Sequence, residues 1–193
     1  MQSIKKNTYT ELEYIKSTGI QYIDTQYKPS NNTRIIAKVQ ATNFATTFFF
    51  GARTSTTSKI FAGLLEYFGG MGCYYRLDYY VKVNRVVLIP SLDNEKHVFE
   101  INKGKLYFDD VNYENTYETS PFQGDYNLAL FGCNTANTIT KSGCIIYSCK
   151  IYDNDILVRD FIPVLDKNGI ACMYDKVNKQ YYYNAGTGEF LYG

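Results

Sequence analysis

The sequence predicts an all-β protein, a sandwich or a barrel, on three observations. Tyr (20) and Phe (12) bring the aromatic content to 17%, while Trp is absent and Pro numbers 4. Aromatic and β-branched side chains suit the pleated, half-buried surface of a strand. Short runs of alternating polarity recur along the chain, separated by Gly, Asn and Asp, which is the rhythm of sandwiches and barrels. No stretch carries the apolar period of an amphipathic helix three turns long.

The elements follow in order. Glu13-Tyr14-Ile15 meets a Ser17-Thr18-Gly19 turn, and Gln21 to Thr25 resumes extended structure. Asn31-Asn32 turns into a strand from Arg34 to Gln40, and Thr47 to Gly51 reads as a buried run. Lys59 to Leu65 and Tyr74 to Tyr80 flank a Gly69-Gly70-Met71-Gly72 turn, and Arg85 to Ile89 follows. The clearest hairpin runs from Lys96 to Ile101, turns at Asn102-Lys103-Gly104, and returns from Lys105 to Asp109. Tyr126 to Gly132 and Gly143 to Tyr152 are further strands, and an Asp153-Asn154-Asp155 turn leads to Ile156 through Phe161. Ala171 to Asp175 and Gln180 to Tyr183 close the pattern.

At 193 residues the chain buries roughly 70% of its unfolded surface and needs no disulfide or metal to hold a core. With no linker, repeat or low-complexity stretch, one domain over 1–193 is expected, with 1–10 as an N-terminal arm. Lys+Arg (20) against Asp+Glu (19) leaves a net charge of +1. That balance lacks the basic excess of a nucleic-acid binder and a polybasic handle for anionic membranes. No apolar run approaches the roughly 20 residues of a spanning helix, so no membrane insertion is expected. The polar start, Met1 to Thr8, lacks the apolar segment of a signal peptide. Cys73, Cys133, Cys144, Cys149 and Cys172 form an odd set without a Cys-x-x-Cys, so reduced, buried thiols in a reducing cytosol are expected. The five-residue spacing of Cys144 and Cys149 places them on opposite faces of their strand.

Enzyme constellations fail on count. The one histidine, His97, cannot build a His-based zinc site, and no Gly-x-Ser-x-Gly elbow accompanies it for a Ser-His-Asp triad. Gly69-Gly70-Met71-Gly72 lacks the strand–turn–helix setting of a dinucleotide loop and reads as a turn. Glu11 and Glu13 share a face at a solvated edge, whereas Asp109/Asp110 and Glu95/Glu100 point apart. Calcium takes oxygen ligands from loops, which makes Asp109-Asp110 and Asp153-Asn154-Asp155 the candidate cation loops; Asx-rich turns also form without metal.

Several segments resemble a known pattern. Leu12 to Thr25, LEYIKSTGIQYIDT, and Phe50-Gly51-Ala52-Arg53 resemble the opening and a strand end of concanavalin A-like (LamG-like) modules. Lys96 to Val111 is similar to a LamG hairpin element, with Asp110-Val111 where Asp-Gly is usual. Ile151 to Val164, IYDNDILVRDFIPV, and Asn184 to Phe190, NAGTGEF, resemble its closing stretch. The resemblance spans 12–190 and implies a two-sheet antiparallel jelly-roll sandwich. No Glu-x-Asp-x-x-Glu strand of laminarinase-like jelly rolls occurs. Such modules serve mostly as non-catalytic parts of phage structural proteins and gut-bacterial surface proteins, an analogy of fold. The Arg159-Asp160 pair in the closing motif reads as a structural ion pair.

The expected function is therefore that of a non-catalytic phage virion protein: a capsid decoration, head-fibre or tail module, made in the host cytoplasm. Its expected partners are other virion proteins or further copies of itself, with a host-surface glycan as a further partner. The alternative is a carbohydrate-binding module of a bacterial cell-surface protein, and the third reading is a cryptic glycosidase. The favoured binding surface is the stretch from Tyr74 to Tyr80. Its alternation turns Leu77 with Tyr75 and Tyr79 toward the core, and Tyr74, Arg76, Asp78 and Tyr80 outward. Aromatic and Arg side chains are what protein interfaces favour.

Overall fold

The computed structural model describes residues 9–56, 58–80, 84–91, 93–113 and 121–193. The expected arm at 1–10 falls outside them up to residue 8. The strands, in chain order, are β1 (Thr10–Glu11), β2 (Ile15–Lys16), β3 (Ile23–Asp24), β4 (Thr33–Ala41), β5 (Thr47–Arg53), β6 (Ile60–Tyr67), β7 (Cys73–Tyr80) and β8 (Asn84–Ser91). They continue with β9 (Lys96–Asn102), β10 (Lys105–Phe108), β11 (Val111–Asn112), β12 (Ala129–Leu130), β13 (Gly132–Thr135), β14 (Thr138–Lys141) and β15 (Cys144–Asp153). The last are β16 (Ile156–Leu165), β17 (Ala171–Asp175), β18 (Gln180–Tyr182) and β19 (Leu191–Tyr192). Among the described residues the one helical piece is a 3-10 turn at Gly69–Met71.

These strands make the two-sheet sandwich that the sequence predicts, of jelly-roll type. The long sheet runs β11-β10-β9-β4-β15-β16-β17-β18, with β1 on β16 and β2 and β19 beside β15. The short sheet runs β14-β13-β5-β6-β7-β8, with β12 and β3 off its β5 edge. Phe49, Phe50, Phe61, Tyr75 and Leu77 from the short sheet meet Ile35, Val39, Phe99, Ile151 and Phe161 from the long sheet in one buried cluster.

Turn chemistry sets the hairpins. The central residues Lys103 and Gly104 have φ of 50° and 84°, the positive pair that a two-residue hairpin of native twist requires. Ala136-Asn137, Asp109-Asp110 and Asn154-Asp155 repeat it, with every φ between 47° and 67°. Asn and Asp tolerate this left-handed region better than other side chains.

Three local features depart from simple alternation. A bulge in β5 between Phe48 and Phe50 sends both Phe49 and Phe50 into the core, each 0% exposed. Gly63 makes room for them, since a Cβ there would stand 2.6 Å from the Phe50 ring. A second bulge, in β15 between Ile146 and Ser148, resets that strand's parity. Cys144 and Cys149 are therefore both buried in the main core, which corrects the expectation of opposite faces. Third, the single strand expected over Tyr126 to Gly132 is broken at Phe131, whose φ is 61°. There the chain doubles back along β5, so that β12 pairs with it antiparallel and β13 parallel. The sandwich is thus antiparallel with one parallel pairing among the described strands.

The motifs at the two ends of the chain meet. The Gln21 Oε1 accepts from Thr18 N (2.8 Å) and Ser17 Oγ (3.1 Å), while its Nε2 donates to the Glu189 carbonyl (2.9 Å). Asn184 Oδ1 accepts from Tyr22 N (3.1 Å) and Gly186 N (2.8 Å). The resembled motifs thus act as framework. Arg159 finds its partner in the fully buried Asp175 (3.7 Å) rather than in Asp160. Neighbours in a strand face apart, and the Asp160 N–H itself donates to Asp175 (2.9 Å).

Candidate functional site

The favoured surface lies on the outer face of the short sheet. Strand β7 alternates as predicted: Tyr75, Leu77 and Tyr79 are 1%, 0% and 2% exposed and belong to the core. Tyr74, Arg76 and Asp78 share the opposite face, while the Tyr80 side chain lies outside the described residues. Pairing of β6 with β7 sets Ala62 opposite Asp78, Leu64 opposite Arg76 and Glu66 opposite Tyr74.

This outer face is not an ordinary solvated one. Phe48, Ile60, Ala62, Leu64 and Cys133 form a second buried cluster there, outside the main core. Asp78, expected to point outward into solvent, is only 5% exposed. The methyl of Ala62 opposite leaves it space, and the Arg76 side chain pairs with it. Arg76 Nε donates to Asp78 Oδ1 at 2.6 Å, and its Nη1 donates to Glu66 Oε2. Burial pushes the Asp78 carboxyl above its usual value against the opposing pull of Arg76.

A second cation flanks the cluster. The Arg53 guanidinium lies 5.3 Å over the Phe48 ring, and its Nε donates to Thr135 Oγ1 (2.7 Å). Burial pushes the Cys133 thiol up to about 11, with Arg53 pulling against it. At the far end Tyr74 meets Phe68 edge to face, ring centroids 5.6 Å apart, beside Met71, which is 72% exposed.

Chemically, the face offers an aromatic rim around a guanidinium locked between two carboxylates. Arg76 engages one oxygen of each carboxylate, Oδ1 of Asp78 and Oε2 of Glu66, which ties the three side chains into one network. Sequence reasoning missed Glu66, Arg53 and Phe48. The hairpin register around Gly69–Gly72 carried a signal for Glu66; the other two depend on the β5 bulge and on the parallel β13, which leave no trace in the pattern.

The calcium candidates are not brought together. Asp109 accepts from His97 Nδ1 (2.7 Å) and Val98 N (2.8 Å) at the start of β9, with Asp110 beside it in the turn. Asp155 pairs with Lys103 at the other end of β9 (2.5 Å), and Asp153 ends β15. Among the described residues no group of three or more His, Cys, Asp or Glu stands close enough to hold a metal ion. His97 itself is a clamp: its Nε2 meets Asp93 at 2.9 Å and its ring stacks on Phe108 at 4.7 Å.

The fold and this face define a two-sheet β-sandwich of jelly-roll type with a partly apolar outer surface. No protein-family description matches the chain and no curated protein matches it, so the family resemblance rests on the motifs alone. Among the described residues no helix is long and apolar enough to cross a membrane.

Proposed function

We propose that this chain is a non-catalytic bacteriophage virion protein, a capsid decoration, head-fibre or tail module with a lectin-like fold, exposed for assembly and host-surface attachment. The observation that carries the reading is the outer face of the short sheet. Tyr74, Phe68 and Arg53 surround a half-buried Arg76 network over an apolar cluster, the aromatic and Arg composition that protein contacts favour. Neighbouring virion proteins or a second copy of this chain are the partners it fits. Synthesis in a reducing host cytoplasm is supported by five free cysteines, all buried.

The alternative, a carbohydrate-binding module of a bacterial surface protein, draws on the outer face of the long sheet. There Tyr174 and Tyr181 stand 5.1 Å apart and Tyr181 and Tyr183 stack at 6.1 Å. The third reading, a glycosidase, draws less support from this face, since Arg76 pairs with both of its carboxylates, Glu66 and Asp78.

Immunogold electron microscopy on a lysate of the source organism tests the proposal. Regular gold on phage heads or tails is the expected result. Gold on cell envelopes with bare particles would sink it in favour of the alternative.

A further inference from the structure

The chain contains one Asn-Gly step, Asn168-Gly169, and no Asp-Gly step. Asn-Gly is the sequence in which an asparagine is most open to attack by its own main chain, because glycine has no Cβ to keep its nitrogen away from the side-chain carbonyl carbon. The step sits at the tip of the hairpin between β16 and β17, where both residues are exposed. A Cβ on Gly169 would meet nothing within 4 Å, so neither a closing ring nor water is obstructed there.

The turn itself opposes the attack. Asp166 N donates to the Ile170 carbonyl (3.0 Å), and the Asp166 carbonyl accepts from Gly169 N (3.0 Å), the closing bond of a β-turn. The Asp166 side chain is 7% exposed. Its Oδ1 accepts from Asn168 N (2.8 Å) and Ile170 N (2.9 Å). Its Oδ2 accepts from Asn168 Nδ2 (3.4 Å) and from Tyr183 Oη (2.9 Å), which ties the turn to the chain just past β18. One residue thus holds every group that has to move: the Gly169 nitrogen that would attack, the Asn168 amide nitrogen that would leave, and the backbone between them.

We propose that Asn168 is a site of spontaneous modification, converting to aspartate and isoaspartate, and that the Asp166 turn is the brake on its rate. In the first step the Gly169 nitrogen loses its proton and bonds to Asn168 Cγ. The Cγ–Nδ2 bond breaks, ammonia carries the proton away, and a five-membered succinimide remains. Water then opens the ring. Attack at Cγ gives aspartate, and attack at the main-chain carbonyl carbon gives isoaspartate, whose main chain runs through the side-chain carbon. No oxidant or reductant enters. Either product sets a second carboxylate beside that of Asp166, where like charges repel. Isoaspartate also lengthens the chain between the nitrogens of residues 168 and 170, so that Oδ1 no longer holds both. The modified hairpin is therefore looser than the original. The reaction proceeds from the opened turn, and its rate follows how often that turn opens. The inference is independent of the virion reading, since it rests on the chain's own chemistry.

The test is peptide mapping of the full chain, held for weeks in mildly alkaline buffer and then digested briefly with trypsin. Cleavage after Lys167 releases a peptide that begins at Asn168, and chromatography with mass spectrometry separates its asparagine, aspartate and isoaspartate forms. The folded chain should convert at least about tenfold more slowly than the same chain in guanidinium chloride, because several hydrogen bonds must open first. Asp166→Ala should carry the folded rate most of the way to the unfolded one. Tyr183→Phe keeps the ring and removes only the outermost bond of the turn, so it should raise the rate about threefold. Circular dichroism checks that each variant is folded, and Tyr183→Phe decides the matter if Asp166→Ala is not. Equal rates in the folded and unfolded chains, or a parental rate in Tyr183→Phe, would overturn the brake. No conversion at Asn168 even in the unfolded chain would overturn the site.

Discussion

The two outer faces of the sandwich use the same kinds of side chain to opposite effect. On the long sheet, Arg34 pairs with Glu100 at 2.8 Å and lies 5.3 Å over the Tyr152 ring. Lys96 pairs with Glu13 and stands 4.3 Å over Tyr147. Lys96 and Glu13 are well exposed at 41% and 61%, and Arg34 and Glu100 partly so at 34% and 15%. On the short sheet, Arg76 and Asp78 are 24% and 7% exposed and rest on a second apolar cluster. An exposed pair gains little because water already solvates both charges. A buried one is expensive to break because the survivor stays desolvated. The faces thus differ chiefly at Asp78, a nearly buried carboxylate over a second apolar cluster, for which the long sheet's pairs offer no counterpart among those named.

Breaking the short-sheet network should have the largest effect. Arg76→Ala leaves the Asp78 carboxylate buried without its cation and should cost about 2–3 kcal/mol of unfolding free energy at neutral pH. Adding Asp78→Asn should recover more than half of that, because the buried charge goes with it. The deficit of Arg76→Ala should also shrink in acid. A folded-state carboxyl pKa that burial raises makes the native state the tighter proton binder, so protonation favours it. Denaturant titration of the three proteins at two pH values decides this; equal losses in the single and double variants would break the comparison.

A smaller effect is expected at His97, between the faces. Burial lowers its pKa, but Asp93 and Asp109 together outweigh that and leave it raised. A base with a raised folded pKa contributes stability that is complete below its unfolded value, about 6.5, and is lost as pH rises through the folded value. The melting temperature should therefore fall from pH 6 to pH 8, and His97→Gln should flatten that slope. An unchanged slope in the variant would contradict the clamp.

On the long sheet the losses should be slight. Arg34→Ala should cost about 1 kcal/mol, because Glu100 is only partly solvated, read by the same denaturant titration. Lys96→Ala should leave the melting temperature unchanged. A large loss at either site would erase the difference between the faces.

These contrasts bear on what a sequence can say. Alternation along β7 was legible because nothing interrupts it, and so were the turns at Lys103-Gly104 and Asn154-Asp155, where local backbone needs choose the residues. Bulges are different. One extra residue at Phe49 or Tyr147 reverses the facing of everything beyond it, yet it looks like any other position in the string. That is why Cys144 and Cys149 read as opposed although they share a core. The burial of Asp78 was likewise hidden, since it depends on Ala62, Ile60 and Cys133 arriving from other strands.

The central claim is that the outer face of the short sheet is the one that meets neighbours in a particle. Hydroxyl-radical footprinting of purified phage particles, against the free chain, tests it directly. Tyr74, Phe68 and Met71 should lose most of their labelling in the particle, while Tyr147 and Tyr152 on the long sheet keep theirs. Protection of Tyr147 and Tyr152 with Tyr74 still labelled would contradict the account.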